Sequence, residues 1–196
     1  MNVYILLDRS GSMESLWGEA LGSINGYVQG LPSETNVFLA CFDYEYQVLR
    51  NNKVNEWKKV TNDDVSPRGG TALFDAAARI MQRAMEDNAE KTVIVIMTDG
   101  AENSSKNFNK TQIMKMCDDV QNRKWEIIFL GANFDKIADV ATSQFGRSFD
   151  KSVAINTASL QNFTTHTLSA KTTAYAAVGT PINFDAVDRK AAKGEI

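Results

Sequence analysis

The sequence predicts a three-layer α/β protein. Its centre is a mostly parallel, doubly wound sheet with helices on both faces and one short antiparallel edge strand. Three observations carry that reading. Apolar runs of strand length recur along the chain, and most are followed by a longer stretch with apolar residues at helical spacing. The runs are apolar throughout rather than alternating, as strands covered on both faces are. Two of them run straight into a carboxylate, Asp8 and Asp99, at the sheet edge where this architecture binds ligands. The 196 residues, 43% of them hydrophobic, are enough for one well-packed domain and short for two.

The first run is Val3, Tyr4, Ile5, Leu6 and Leu7, too short for a helix of its own. It ends at Asp8, and Ser10 and Ser12 follow at alternate positions, with Gly11 permitting a sharp bend. Hard oxygens converging at the end of a central strand suit a hard cation such as Mg²⁺. Trp17, Ala20, Leu21, Ile24, Tyr27 or Val28, and Leu31 then mark an amphipathic helix over 14–30, stopped by Gly30 and Pro32. A second buried strand covers 36–43, and Tyr44, Tyr46 and Val48 alternate with polar residues as an edge strand does. The polar connector 51–67 has Trp57 and Val60 as anchors. Arg68-Gly69-Gly70-Thr71 is a tight loop that opens a helix buried through Leu73, Ala76, Ala77, Ile80, Met81 and Ala84.

The next strand covers 91–100, apolar until an acid at its carboxyl end in Thr98-Asp99-Gly100, and a polar loop through Ser105 follows. A helix over 110–123 packs through Ile113, Met116 or Cys117, and Val120, and a strand over 125–130 ends at Gly131. Ile137, Ala138, Ala141 and Phe145 mark a further helix, 152–155 a short last strand, and 158–177 a final helix packing through Leu160, Phe163, Thr167 and Tyr175. The domain is expected over 1–180. The remaining 181–196 is a weakly patterned tail, expected to be partly disordered.

Composition narrows the function. A net charge of −3 gives no global basic field for nucleic acid, and no apolar run approaches the roughly 20 residues of a membrane span. A strand pattern beginning at Val3 leaves no room for a secretion signal, so a cytoplasmic location is expected. Cys41 and Cys117 fall in apolar patterns and read as reduced core thiols. Neither has zinc-ligand spacing with His166, the one histidine. That histidine stands far in sequence from every motif, and a Ser-His-Asp arrangement lacks its usual base. Arg9 and Arg68, which flank the hydroxyl positions, read as solvated side chains, and Glu14, Glu102, Asn103 and Ser104 as ordinary loop residues. An Mg²⁺-dependent phosphohydrolase is the enzyme alternative. Such enzymes commonly carry a second carboxylate two residues after the first, where this chain has Ser10. No catalytic residue is expected, and the chain reads as a non-enzyme.

Together, Asp8-x-Ser10-x-Ser12, Gly69-Gly70-Thr71 and Thr98-Asp99-Gly100 resemble the motifs of the von Willebrand factor A domain. More narrowly, they resemble members with a metal-ion-dependent adhesion site, of the stand-alone intracellular bacterial or bacteriophage type. The resemblance covers roughly residues 2–180 and implies a Rossmann-like fold. It also implies that Asp8, Ser10, Ser12, Thr71 and Asp99 hold a divalent cation, Mg²⁺ or Mn²⁺ before Ca²⁺. The acid at Glu102 stands one place later than in many relatives and is not assigned as a ligand. In adhesive members of the family a partner's Asp or Glu completes the metal shell. The expected partner is therefore a protein offering an acidic side chain, with no nucleic acid, membrane or small-molecule substrate. Intracellular members of the family imply a further alternative, an adaptor subunit beside an AAA-type ATPase or in a stress-response complex.

Overall fold

The computed structural model describes residues 1–131, 138, 140–147 and 151–196. Six strands form one sheet in the order β3-β2-β1-β4-β5-β6. They are β1 (Asn2–Asp8), β2 (Asn36–Phe42), β3 (Tyr46–Lys53), β4 (Thr92–Met97), β5 (Glu126–Gly131) and β6 (Ser152–Ala154). Every pairing is parallel except β2 with β3. β1 lies at the centre, its Leu7 in register with Cys41 of β2 and Met97 of β4.

Successive residues of a strand face opposite sides, and β1 shows why its sequence is apolar without alternation. Val3, Ile5 and Leu7 enter one core with α1 (Trp17–Gln29), while Tyr4 and Leu6 enter the other with α2 (Leu73–Asp87) and α3 (Lys110–Asn122). The chain leaves β1 toward β2 through α1 and returns past β1 to β4 through α2. The strand order therefore reverses beside β1, and the carboxyl ends of β1 and β4 flank the reversal.

Several elements differ from the sequence reading. The first helix is preceded by a 3₁₀ turn (Gly11–Leu16), and Tyr44 lies in the turn before β3 rather than on the strand. Of the residues expected to pack the helix after β5, Ile137 lies outside the described residues; Ala141 and Phe145 are buried beside a π turn (Val140–Gln144). The final helix is α4 (Thr157–Asn162), a π-helical stretch (Phe163–Leu168) and α5 (Ser169–Val178) in succession. The π stretch changes the phase of the apolar stripe. Thr164, Leu168 and Thr172 are buried, and Thr167, expected in the core, is only half-buried.

The expected disordered tail carries α6 (Ala186–Lys193), with Ile182, Phe184 and Ala192 in the core. Its N-cap, Asp185, forms a reciprocal capping box with Asp188. No helix among the described residues is long and apolar enough to cross a membrane.

Candidate metal centre

The five residues singled out by motif come together at the carboxyl ends of β1 and β4. Asp8 ends β1 with no exposure to solvent. The backbone amide of Ser10 donates to its Oδ1 at 2.7 Å, and the Thr98 hydroxyl donates to its Oδ2 at 2.6 Å. The Ser10 and Ser12 hydroxyls lie 3.2 Å apart, and Ser12 Oγ donates to Asp99 Oδ1 at 2.8 Å. Thr71 closes the group: a Cβ built on Gly100, next to Asp99, would sit 3.7 Å from its Oγ1. Thr71 is nearly buried, its amide donates to Asn103 Oδ1 at 2.9 Å, and its hydroxyl bonds to none of the described residues.

Oxygens in an octahedral shell about 2.0–2.1 Å from Mg²⁺ stand roughly 3 Å from their neighbours. The 2.8 and 3.2 Å separations among Ser10, Ser12 and Asp99 fit that spacing. The chemistry of the set fits as well: three neutral hydroxyls and two carboxylates, all hard donors. Among the described residues no group of three or more His, Cys, Asp and Glu is placed to hold a metal, so a cation here would rely on the hydroxyls. Burial pushes the Asp8 carboxyl up to about 6; hydrogen bonds from Thr98 and Ser10 oppose the shift, and the charge of Asp99 adds to it. A carboxylate that is costly to ionise alone gains most from a cation beside it.

The loops are held by residues the sequence reading did not single out. Thr98, nearly buried, fixes one oxygen of Asp8. Asp43 joins the two hydroxyl-bearing loops. Arg68 Nε pairs with its Oδ2 at 2.7 Å, Arg9 Nη2 reaches its Oδ1 at 3.4 Å, and its carbonyl accepts the Ala72 amide. Backbone bonds from Arg68 to Arg9 and from Gly11 to Gly69 complete the junction. Arg9 corrects the expectation of a solvated side chain: it is 4% exposed and donates to Gln47 Oε1 at 2.9 Å. The sequence signal was available in part, since Asp43 follows the apolar run of β2 directly, as Asp8 follows that of β1.

Glu102 turns toward α2 instead of the centre. Its carboxylate accepts the Phe74 amide of the first turn of α2 at 2.8 Å and the amides of Ser104 and Ser105. Asp75 in the same turn accepts the amides of Lys106, Asn107 and Phe108 at 2.8–3.0 Å. These two acids bind the Asp99 loop to α2, so Thr71 and Asp99 are positioned as a unit. Neither pairing has a sequence signature, because each joins positions about 30 residues apart through backbone amides.

Comparison with known proteins agrees with this architecture. A family model described as the von Willebrand factor type A domain matches residues 2–171. The chain is similar in fold to the ArnB paralog VWA2 of Sulfolobus acidocaldarius, with a TM-score of 0.62 and 14% identity over 84% of this chain and 44% of that one. A von Willebrand factor type A protein of Catenulispora acidiphila gives 0.60 and 14% over 88% and 42%. A D319A mutant of the PilB minor pilin of Streptococcus sanguinis gives 0.61 and 12% over 92% and 63%. At these identities the likeness is one of fold, and the chain spans less than half the length of the first two. No curated protein sequence matches the chain.

Proposed function

The chain belongs to the von Willebrand factor type A domain family, a family of protein-interaction modules, and we propose that it is a divalent-cation-dependent member that captures an acidic side chain of a protein partner. The observation that carries this reading is the gathering of Asp8, Ser10, Ser12, Thr71 and Asp99 from three separate loops, with Ser10, Ser12 and Asp99 at ligand-sized oxygen spacings. Bound there, Mg²⁺ or Mn²⁺ would supply a Lewis-acidic position for an outside carboxylate. Asp8 and Asp99 would supply the negative charge, and Ser10, Ser12 and Thr71 neutral oxygens. Two carboxylates balance the charge of a divalent ion without filling its shell, so an outside carboxylate could still coordinate it.

The site is read as non-catalytic. Ser10 stands where a phosphohydrolase would place its second acid, and the one histidine, His166, lies in the π stretch of the final helix, away from the carboxyl ends of β1 and β4.

Calorimetric titration of Mn²⁺ and Mg²⁺ into the wild type and Asp8→Ala tests the site. One binding event in the wild type, absent from Asp8→Ala, is expected; equal heats from both proteins would sink the assignment. Capture of host proteins on the immobilised chain in Mg²⁺, followed by EDTA elution, tests the partner. The eluted protein is expected to lose binding when one of its own surface Asp or Glu residues is replaced by Ala.

A further inference from the structure

A cavity of about 610 Å³ lies beside the candidate metal centre. It opens between the β2–β3 turn, the first turns of α2 and the loop before α3. Tyr44 stands between the two features and is 69% exposed. One side of Tyr44 lines the cavity; the other lies against Gly69 and Gly70, so close that a Cβ at Gly70 would come within 2.8 Å of the ring. Thr71, with its free hydroxyl, follows directly on that dipeptide. Chain extending from the metal centre past Gly70 meets Tyr44 and then the cavity.

The polar groups around the cavity divide into satisfied acids and unused donors. Asp43 is held by Arg9 and Arg68, Glu45 by Arg68 at 2.6 Å, and Asp75 by the three amides of the loop before α3. Arg79 lies 4.8 Å over the Tyr46 ring and has no carboxylate partner among the described residues. The Tyr46 hydroxyl is buried, with no hydrogen-bond partner among the described residues. Phe42, Ala76 and Phe108 supply apolar wall between these groups. The exposed Arg79 guanidinium beside an apolar wall matches a ligand that is apolar in body and carries an acceptor group.

Resting on the reading of the metal centre above, we propose that this cavity is a second docking pocket of the same surface, for an extended acidic segment of the protein partner. One acid of the segment meets the cation. A neighbouring aromatic or large aliphatic side chain crosses Tyr44 into the cavity, and a carboxylate beside it pairs with Arg79. The cation thereby selects for an acid, and the cavity for what stands next to it.

Random heptapeptides displayed on phage, selected on the full chain in Mg²⁺ and eluted with EDTA, provide the test. The recovered sequences are expected to combine an acid, a large apolar residue and a second acid. A synthetic copy of the most enriched peptide is then titrated into the wild type, Arg79→Glu, Arg79→Lys and Tyr44→Ala, with Mn²⁺ affinity measured on each. Arg79→Glu and Tyr44→Ala should each weaken the peptide roughly tenfold, and Arg79→Lys by no more than about threefold, with Mn²⁺ affinity unchanged throughout. Recovery of peptides enriched for acids alone, recovery of none, or wild-type affinity in Arg79→Glu would overturn the pocket. A wild type that binds no Mn²⁺ would instead overturn the metal reading, and the pocket would fall with it.

Discussion

At the scale of single residues, the site divides into groups that face a ligand and groups that hold those groups still. Asp8, Ser10 and Ser12 were legible because one short loop carries all three and only a few side chains make hard-oxygen donors. Asp43 and Thr98 were not, because their roles come from strand register: Asp8 lies level with Phe42, which brings the next residue, Asp43, against Arg9. Burial raises the Asp43 carboxyl, but the Glu45 amide, Arg68 and Arg9 outweigh it and hold it below the usual carboxylate range. Removing Asp43 leaves the buried Arg9 with only the exposed Glu45 carboxylate, 3.9 Å away, whereas removing Arg68 takes away a half-exposed side chain and leaves Asp43 paired with Arg9. Asp43→Ala should therefore cost about 3 kcal/mol or more in urea unfolding, and Arg68→Ala little, since solvent screens it. Equal losses in the two variants would mean that Arg9 finds another partner. In Asp43→Ala, Mn²⁺ affinity should also fall, because the loops bearing Ser10 and Thr71 lose their shared anchor.

At the scale of elements, two contacts decide how the pieces are fixed, and neither is visible in hydrophobic periodicity. Gly22 and Gly26 of α1 and Gly30 at its C-cap recur every four residues and face Gln161, Thr165 and Ser169 of the final helical segment. The backbones approach so closely that a Cβ at Gly26 would run into Thr165 Oγ1. In an isolated helix Gly→Ala gains close to 1 kcal/mol. Here the sign should reverse, with Gly26→Ala destabilising by about 1–3 kcal/mol. Adding Thr165→Ala should recover part of that loss, since the residual contact to its Cβ is 3.3 Å, and a thermal-denaturation double-mutant cycle reads the coupling. The second contact is Asp75. Burial raises its carboxyl, but the amides of Lys106, Phe108 and Asn107 outweigh it and leave it below the usual range. A depressed carboxylate contributes stability that is present above its unfolded value, about 3.8, and is lost as pH falls through the lower folded value. Urea midpoints of the wild type should fall with acidification below about pH 4, and Asp75→Ala should show a shallower fall from a lower starting point. Parallel curves would place the acid sensitivity elsewhere.

At the scale of the whole molecule, the mostly parallel sheet and the two-sided core were readable because a strand covered on both faces has a distinctive composition. β1 supplies alternate residues to each core, and its carboxyl end lies at the strand-order reversal. The segment after 180 escaped the reading because it docks by scattered anchors instead of a periodic stripe. Ile182 and Phe184 come before the helix, and Ala192 near its end. It is also pinned from several elements at once. Lys171 pairs with Asp188 at 2.9 Å, Lys151 donates to the Ile182 carbonyl at 2.8 Å, and Arg189 Nη1 donates to the Ser152 carbonyl at 2.9 Å. Phe184 packs at 5.7 Å centroid separation on Phe163, itself fully buried in the π stretch. Docking thus couples β6, the final helix and α6 into one unit. Ending the chain after Thr180 would remove two large core side chains and expose Phe163, at about 1.5–3 kcal/mol for each buried side chain lost. The expected outcome is a urea midpoint lower by the equivalent of about 3–6 kcal/mol, with Phe184→Ala alone giving a substantial part of it. An unchanged midpoint on truncation would show instead that the domain closes at 180 and that the segment beyond it only rests on the surface.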